Sequence, residues 1–420
     1  MPCHLPLTIL APHDIIGTPS DKNPIHISWK LERHFLPLTH IILPYKEVMT
    51  EQNAGAVATV VAQHVKLSSG DQNFQVFGQM MNVPTIPGID YVPIKPSFSW
   101  ARGRNIGLAH AYVQKLNMIP RPDVVEVHGR AQVARFVCQK RPDLPVILYL
   151  HNDPRDMKGA KTEDERLWLI KNLAGVICVS NYIKSCFLDG LSSKSIKNDS
   201  VQSVLNGATK SEKLHLPKEK SILLIGRMVP EKGILPACHA IAQVLKSFPD
   251  WKLHVVGGRH FRKAPPSNYE KKIKQAVSAV SGQVHLHGFQ PASFTRTLQK
   301  KAAISVVPSL WAEPCGLTGL EALAAGSALI TTNAGGIPEY ARGRAVMINL
   351  SGTERDDQNA EVAFKNALAQ ELHHLINDSK LREALQKNAF NDFPFTSEKM
   401  VDKANKVRQD FLSRFTNTQL

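Results

Sequence analysis

The stretch ISVVPSLWAEPCGLTGLEALAAGSALI, residues 304–330, decides the fold class of this chain. It begins with a short β-branched run at 304–307, which predicts a strand that ends before Pro308. A helical pattern follows over residues 317–325, and a second apolar run follows over residues 328–330. The order strand, helix, strand is typical of a βαβ unit, in which both strands lie parallel in one sheet.

The same alternation recurs along the chain. Further strands are predicted at 124–127, 146–150, 176–179, 222–225 and 253–256. Further helices are predicted at 236–248 and 269–280. Nearly continuous apolar strands indicate sheets that helices cover on both faces. We therefore predict an α/β protein with two doubly wound, Rossmann-like parallel-sheet domains that face each other across a cleft. Ligands of such sheets bind beyond the carboxyl ends of the strands.

The domain boundary is predicted in a polar, basic segment near residues 203–220. A chain of 420 residues is also too long for one ordinary core. We expect a first domain over residues 1–206 and a second over residues 207–394. A polar helix over residues 395–420 is expected to pack back on the first domain.

Composition limits the classes of partner. The chain has 51 Lys and Arg against 36 Asp and Glu, a net charge of +15, which favours anionic partners. No element interleaves basic and aromatic residues, so we expect no nucleic-acid binding. The six cysteines lack CxxC spacing and are predicted to be reduced thiols. No leader peptide and no apolar run of about 18 residues is found, which predicts a cytoplasmic protein.

Glu313 and Glu321 flank the start of the helix predicted in the opening stretch. Gly316 permits close backbone approach, and the free amides of a first helical turn can hold a phosphate. Carboxylates would repel such an anion, so they are better suited to the neutral hydroxyls of a sugar or ribose. In the alternative interpretation, Thr318 and Glu321 form a capping box and Glu313 is a surface acid.

A second candidate loop is GRMVPEKG, residues 226–233, which follows the strand predicted at 222–225. Arg227 and Lys232 lie five residues apart and can provide separate charge partners for the two phosphoryl groups of a diphosphate. The alternative is a solvated basic turn. Two such loops in one domain favour a nucleoside diphosphate ligand.

Together these segments resemble retaining glycosyltransferases of family 4, which have the GT-B fold, and in particular those of bacterial cell-envelope polysaccharide and lipopolysaccharide synthesis. The similar segments are residues 123–128, 179–184, 206–207, 226–233, 285–289, 313–326 and 333–339. The similarity covers roughly residues 120–345, and its ordered set of motifs is much more specific than any one motif. EPCG, residues 313–316, is also similar to bacterial glycogen synthases.

The resemblance implies a donor site in the second domain. Arg227 and Lys232 would bind the diphosphate of a nucleotide sugar, Glu321 the ribose hydroxyls, and Glu313 the donor sugar. The backbone amides of four residues would assist Glu313: Cys315, Gly316, Leu317 and Thr318. The base would lie near residues 257–259 and 288–289.

From the first domain, His151 would face the donor sugar, and the resemblance implies that His151 and Glu313 are the catalytic residues. His128 either lines the cleft or is a hydrogen-bonded histidine at a strand end, and we favour the second interpretation. The family usually carries a Gly-Gly turn after its first strand, whereas residues 7–20 offer only Gly17. The basic segment 102–115 is either a lipid-headgroup helix or a solvated helix face, and we favour the solvated face.

The implied reaction transfers a hexosyl unit with retention to a glycan or glycolipid acceptor. It needs no metal and no cofactor besides the nucleotide sugar, because cations and a helix N-terminus stabilise the leaving diphosphate. Anionic acceptors would place the enzyme peripherally at the inner membrane surface. The alternatives are an epimerase of the same fold and a glucan transferase similar to glycogen synthase. A dehydrogenase is disfavoured because no G-x-G-x-x-G follows a first strand.

Overall fold

A computed structural model describes residues 37–68, 70, 72–97, 103–192, 199–260, 264–350 and 358–419. Two separate parallel β-sheets, each flanked by helices, organise this part of the chain. This arrangement confirms the predicted α/β class with two parallel-sheet domains.

The first sheet has seven strands in the order β3-β2-β1-β4-β5-β6-β7. They are β1 (Leu38–Ile42), β2 (Asn73–Gln79), β3 (Tyr91–Ile94), β4 (Val124–His128), β5 (Val146–Leu150), β6 (Gly175–Cys178) and β7 (Val201–Ser203). Its helices are α1 (Ala56–Leu67), α2 (Arg104–Lys115), α3 (Ala131–Lys140), α4 (Glu163–Asn172) and α5 (Asn181–Leu188). Strands β4 and β5 are buried at every position, as expected for a central parallel strand covered on both faces.

The second sheet has six strands in the order β10-β9-β8-β11-β12-β13. They are β8 (Glu219–Ile225), β9 (Lys252–Val256), β10 (Val284–Gly288), β11 (Ala302–Val307), β12 (Ala328–Thr332) and β13 (Val346–Ile348). The helices that follow β8 are α6 (Ile234–Leu245), α7 (Asn268–Ala276), α8 (Ala292–Lys301), α9 (Leu317–Ala324), α10 (Pro338–Ala341), α11 (Gln358–Asn377), α12 (Ser379–Asn391) and α13 (Ser397–Gln419).

The first described strand differs from the sequence interpretation. It is β1, whereas the turn after a first strand was sought in residues 7–20; Gly17 lies outside the described residues. Polar Thr39 and His40 interrupt the apolar run of β1, yet both are buried, and Nδ1 of His40 lies 2.9 Å from the hydroxyl of Tyr112. That hydrogen bond allows a histidine to occupy a central strand.

The chain crosses between the two domains at two adjacent points. The amide of Ala208 donates to the carbonyl of Phe395 at 3.0 Å, and the amide of Ser397 donates to the carbonyl of Ala208 at 3.2 Å. Beyond the second crossing, α13 packs against α1 of the first domain. The single-residue boundaries at 206 and 394 stay predictions.

Within the described ranges, no helix combines the length and the apolar character that a membrane-crossing helix needs.

Candidate functional site

A cavity of about 460 Å³ lies between the carboxyl ends of the two sheets, lined by residues of both domains. It brings together eight of the nine predicted site residues: His151, Arg227, Lys232, Glu313, Cys315, Gly316, Leu317 and Thr318. A cavity of this size falls in the range of small-molecule sites.

On the second-domain side of the cavity, Lys232 forms an ion pair with Glu313. Glu313 is only 5% exposed. Ser309 donates its hydroxyl to the same carboxylate oxygen at 2.5 Å. Sequence analysis gave Lys232 and Glu313 separate ligand groups, whereas the structure also joins them to each other. The reason is physical: a buried carboxylate needs a cation or hydrogen-bond donors.

Two glycines let the loops of this wall approach closely. Gly233, at φ +65°, ends the loop after β8, and a Cβ there would lie 1.9 Å from the carbonyl oxygen of Pro308. Gly335, at φ +61°, packs on the backbone of Glu313, where a Cβ would lie 2.2 Å from the carbonyl oxygen. Backbone packing therefore fixes the positions of Lys232 and Glu313.

The N-terminus of α9 faces the cavity through Leu317 and Thr318. Its N-cap is Gly316, in the left-handed conformation at φ 82°, and no side chain caps the helix. The capping-box interpretation is wrong, because Thr318 lies inside the helix. Free amides of this first turn carry the positive end of the helix dipole toward the cavity.

Glu321 is the one predicted residue that does not line the cavity. Its Oε2 accepts a hydrogen bond from Nε2 of Gln299 at 3.0 Å, and Gln299 is itself 2% exposed. Burial raises the pKa of the Glu321 carboxyl. Its side chain starts one turn along α9 from Thr318, which does line the cavity, and its role toward a ribose stays a prediction.

Cys315 and Arg227 differ in their surroundings. Cys315 is 2% exposed, and burial raises its pKa to about 12, so the thiol is not a thiolate at neutral pH. The side chain of Arg227 is 40% exposed and lies 3.8 Å from Glu231. Such an exposed pair contributes little energy, so the guanidinium can readily turn to a phosphate.

His151 forms the first-domain side of the site, directly after β5. It is 8% exposed, and its Nε2 lies 2.8 Å from Nδ1 of His128. Nε2 of His128 lies 2.6 Å from Oε1 of Glu126. His128 is thus a hydrogen-bonded, fully buried residue, as the favoured interpretation stated. Burial lowers the pKa of His151 well below its usual value, which keeps the ring neutral.

Sequence reasoning missed Glu47, which lines the cavity with Ala56 and Val57 at the start of α1. Oε2 of Glu47 accepts from the amide of Ala58 at 3.3 Å, and burial raises the pKa of this carboxyl. The available signal was Gly55, a helix-start glycine directly before an apolar helical pattern.

Contacts between the domains were also missed. The carboxylate of Glu339 accepts from the amides of Asn181 and Tyr182, at 2.9 and 2.7 Å, and so caps α5 of the first domain. Ser180 donates its hydroxyl to the carbonyl of Pro314 at 2.5 Å. The motif at residues 333–339 was recognised, but nothing in it indicated a partner in the other domain.

The predicted base region lies beside the diphosphate loops. Gly257, Gly258 and Phe289 line the same cavity, while Arg259 and Gly288 line an adjoining one of about 540 Å³. Among the residues that the structure describes, no group of three or more His, Cys, Asp or Glu side chains is arranged to hold a metal ion.

Two curated proteins align with much of the chain. A putative glycosyltransferase, YtcC of Bacillus subtilis, is 25% identical over 69% of this chain and 73% of its own length. The lipopolysaccharide 1,2-N-acetylglucosaminetransferase of Salmonella typhimurium is 26% identical over 52% of this chain and 56% of its own length.

Solved structures share the fold. Sucrose-phosphate synthase from Thermosynechococcus elongatus superposes with a TM-score of 0.68 at 18% identity, over 90% of this chain and all of that one. Anabaena Alr3699/HepE in complex with UDP-glucose superposes with a TM-score of 0.64 at 15% identity, over 89% of this chain and 99% of that one. These similarities confirm the GT-B architecture.

The family model described as Glycosyl transferases group 1 matches residues 208–392, which contain all of the second-domain site. The family match, the two relatives and the shared fold make this chain similar to group 1 glycosyltransferases of GT-B type.

Proposed function

We propose that this chain is a retaining family 4 hexosyltransferase. It moves a hexosyl unit from a nucleotide-diphosphate sugar to a glycan or glycolipid acceptor, in lipopolysaccharide or surface polysaccharide synthesis. The observation that carries the proposal is that one cavity, of about 460 Å³, has eight of the nine predicted site residues in its wall.

The chemistry of the cavity suits each part of such a donor. Arg227, Lys232 and the start of α9 form a positive region that matches a diphosphate. Glu313, on the same wall, can accept hydrogen bonds from sugar hydroxyls once its pairing with Lys232 is shared with the ligand. Glu321 would bind the ribose after leaving Gln299.

In the proposed reaction, the bond from sugar C1 to the phosphate oxygen breaks and a bond from C1 to the acceptor oxygen forms on the same face. The electron pair leaves with the diphosphate, whose oxygen takes the acceptor proton. Lys232 and Arg227 stabilise the negative charge that develops there, and no metal is needed. His151, neutral and on the opposite wall, orients the donor sugar.

The relatives support the substrate class. One relative is named for N-acetylglucosamine transfer to lipopolysaccharide, and one structure of the same fold holds UDP-glucose. We extend the proposal to a cytoplasmic enzyme that can bind anionic membrane surfaces, in line with its net charge of +15.

A thermal-shift screen tests the proposal. Tm is measured with UDP, GDP and ADP and with their hexose conjugates; a ligand at 100 times its Kd stabilises by about 2.7 kcal/mol. The best donor is then incubated with and without acceptor glycolipid, and the anomeric configuration of the product is read by NMR. No Tm shift with any nucleotide, or an inverted product, would refute the proposal. Conversion of the donor without acceptor would favour the epimerase alternative.

A further inference from the structure

A chain of buried side chains connects helix α13 to the cavity. Nε of Arg408 on α13 donates to Oε2 of Glu126 on β4 at 2.6 Å. Oε1 of Glu126 lies 2.6 Å from Nε2 of His128, and Nδ1 of His128 lies 2.8 Å from Nε2 of His151. Arg408, Glu126 and His128 are at most 1% exposed, and His151, at the end of this series of side chains, lines the cavity.

The ionised state of Glu126 sets the direction of the hydrogen bonds. Burial alone would raise its pKa, but the charge of Arg408 and the hydrogen bond from His128 outweigh burial and hold the pKa well below its usual value. An ionised carboxylate only accepts hydrogen bonds, so Nε2 of His128 must donate. If His128 is neutral, its Nδ1 carries no proton and accepts from Nε2 of His151.

Charge balance favours the neutral form of His128. Arg408 and Glu126 already cancel each other. His64 on α1 faces the same guanidinium with its Nδ1, 3.2 Å from Nη2, and burial first, then the charge of Arg408, lowers its pKa well below its usual value. A further proton on His128 would give the buried group of Arg408, Glu126 and His128 a net positive charge, which is costly.

We propose that Arg408, Glu126 and His128 are positioning residues that hold His151 in one tautomer, with its proton on Nε2 and with Nδ1 left as an acceptor for a ligand in the cavity. This inference rests on the proposed role of His151 beside the donor sugar. It adds that His151 accepts a hydrogen bond from a sugar hydroxyl and does not donate one. It also gives α13, remote in sequence, a part in the site.

The tautomer can be measured without substrate. Long-range ¹⁵N–¹H correlation spectra of protein labelled in its histidines distinguish a protonated ring nitrogen from a bare one. The peaks that vanish in His151→Asn belong to His151. The expected result in the unaltered protein is a protonated Nε2 and a bare Nδ1. The opposite tautomer, or a doubly protonated ring at neutral pH, would overturn the proposal.

Glu126→Gln is expected to reverse the direction of the hydrogen bonds along the series. The amide oxygen can still accept from Arg408, while the amide nitrogen now donates to Nε2 of His128. His128 must then donate from Nδ1, so the proton of His151 is expected to move to its Nδ1. With the donor that the screen identifies, kcat is expected to fall about 10- to 100-fold with little change in KM, as for other groups that orient a functional histidine. We call the hydrogen-bonded series Arg408–Glu126–His128–His151 the relay. An unchanged tautomer of His151 in a folded variant would refute it.

Glu126→Gln leaves Arg408 without its counterion, and this variant could fail to fold. His128→Phe is therefore the second variant of the test. It removes the relay but keeps the Glu126–Arg408 pair. Both tautomers of His151 are then expected, together with the same loss of kcat. The matched control is His40→Phe, which deletes a buried histidine of the same sheet that is hydrogen-bonded to Tyr112. It should leave the His151 spectrum unchanged; a change as large as that in His128→Phe would show a general structural effect and refute the proposal.

The two proposals fail separately. If no nucleotide sugar is bound or turned over but the tautomer shifts as expected, the relay stands and the proposed function falls. If transfer is observed but Glu126→Gln and His128→Phe keep full kcat and an unchanged spectrum, the relay falls alone.

Discussion

The two walls of the cavity are held in place by different means. On the second-domain wall, Lys232 and Glu313 are fixed by backbone packing at Gly233 and Gly335. On the first-domain wall, His151 is fixed by buried side chains that end at Arg408. The difference teaches that a short loop can encode one half of a site locally, while the other half depends on residues far apart in sequence.

The largest effect is expected on the second-domain wall. Lys232→Ala removes a phosphate partner and leaves the buried Glu313 without its cation, so kcat/KM should fall about a thousandfold. Arg227→Ala is the matched control, because Arg227 is exposed; its kcat/KM should fall only about tenfold. Steady-state kinetics with the identified donor measure both. Equal losses would mean that burial does not distinguish the two cations.

The first-domain wall should affect turnover more than binding. His151→Ala is expected to lower kcat about a hundredfold and to leave the Kd of the nucleoside diphosphate unchanged, because His151 faces the sugar in the proposed site. Calorimetry gives the Kd and initial rates give kcat. A large loss of nucleotide affinity would place His151 at the nucleotide instead.

Glu321 should show the reverse pattern. Glu321→Ala is expected to weaken nucleoside diphosphate binding about tenfold, because it removes a charged acceptor for ribose hydroxyls. Glu321→Gln keeps a partner for Gln299 and serves as the matched variant with a smaller loss. Unchanged calorimetric affinity in both variants would remove Glu321 from the site.

Acid should weaken the first domain before the second. Its three histidines with lowered pKa values are buried, whereas His254 and His287 of the second sheet, whose pKa values are also lowered, are only partly buried. Burial lowers the pKa of His40 to about 4 and those of His64 and His151 well below 6.5. A histidine with a lowered folded pKa gives its full stabilisation above pH 6.5 and loses it as the pH falls toward the folded pKa. Between pH 7 and pH 5, Tm should fall by roughly 5 °C.

Hydrogen exchange locates that loss. Amides of β4 and β5 should lose protection on acidification before those of β8 and β11. Earlier loss in the second sheet would contradict the expected order, and His40→Phe should make the fall in Tm less steep.

The smallest effect concerns the contact between the walls. Glu339→Gln weakens the cap on α5, a charge effect of about 0.3–1 kcal/mol, so the donor Kd should rise only a few-fold. Glu398→Gln, at the start of α13, is the control, because this exposed glutamate is outside the cavity. A shift of Kd as large in the control would assign the effect to net charge.

The sequence was sufficient for the fold and for most of the donor wall. Apolar strands and the loops at 226–233 and 313–318 are local patterns, so they could be recognised without a structure. Strand β1 was missed because buried His40 interrupts its apolar run. The hydrogen bond that helps to accommodate this histidine comes from Tyr112, 72 positions away. Glu339 and Arg408 were missed because their partners lie in other parts of the chain.

The pairing of Glu126 with Arg408 also affects the order of synthesis. The two residues are 282 positions apart, so β4 emerges from the ribosome long before α13 is synthesised. During that interval Glu126 has no guanidinium partner, and the first domain can complete its buried ion pair only after the second domain has emerged.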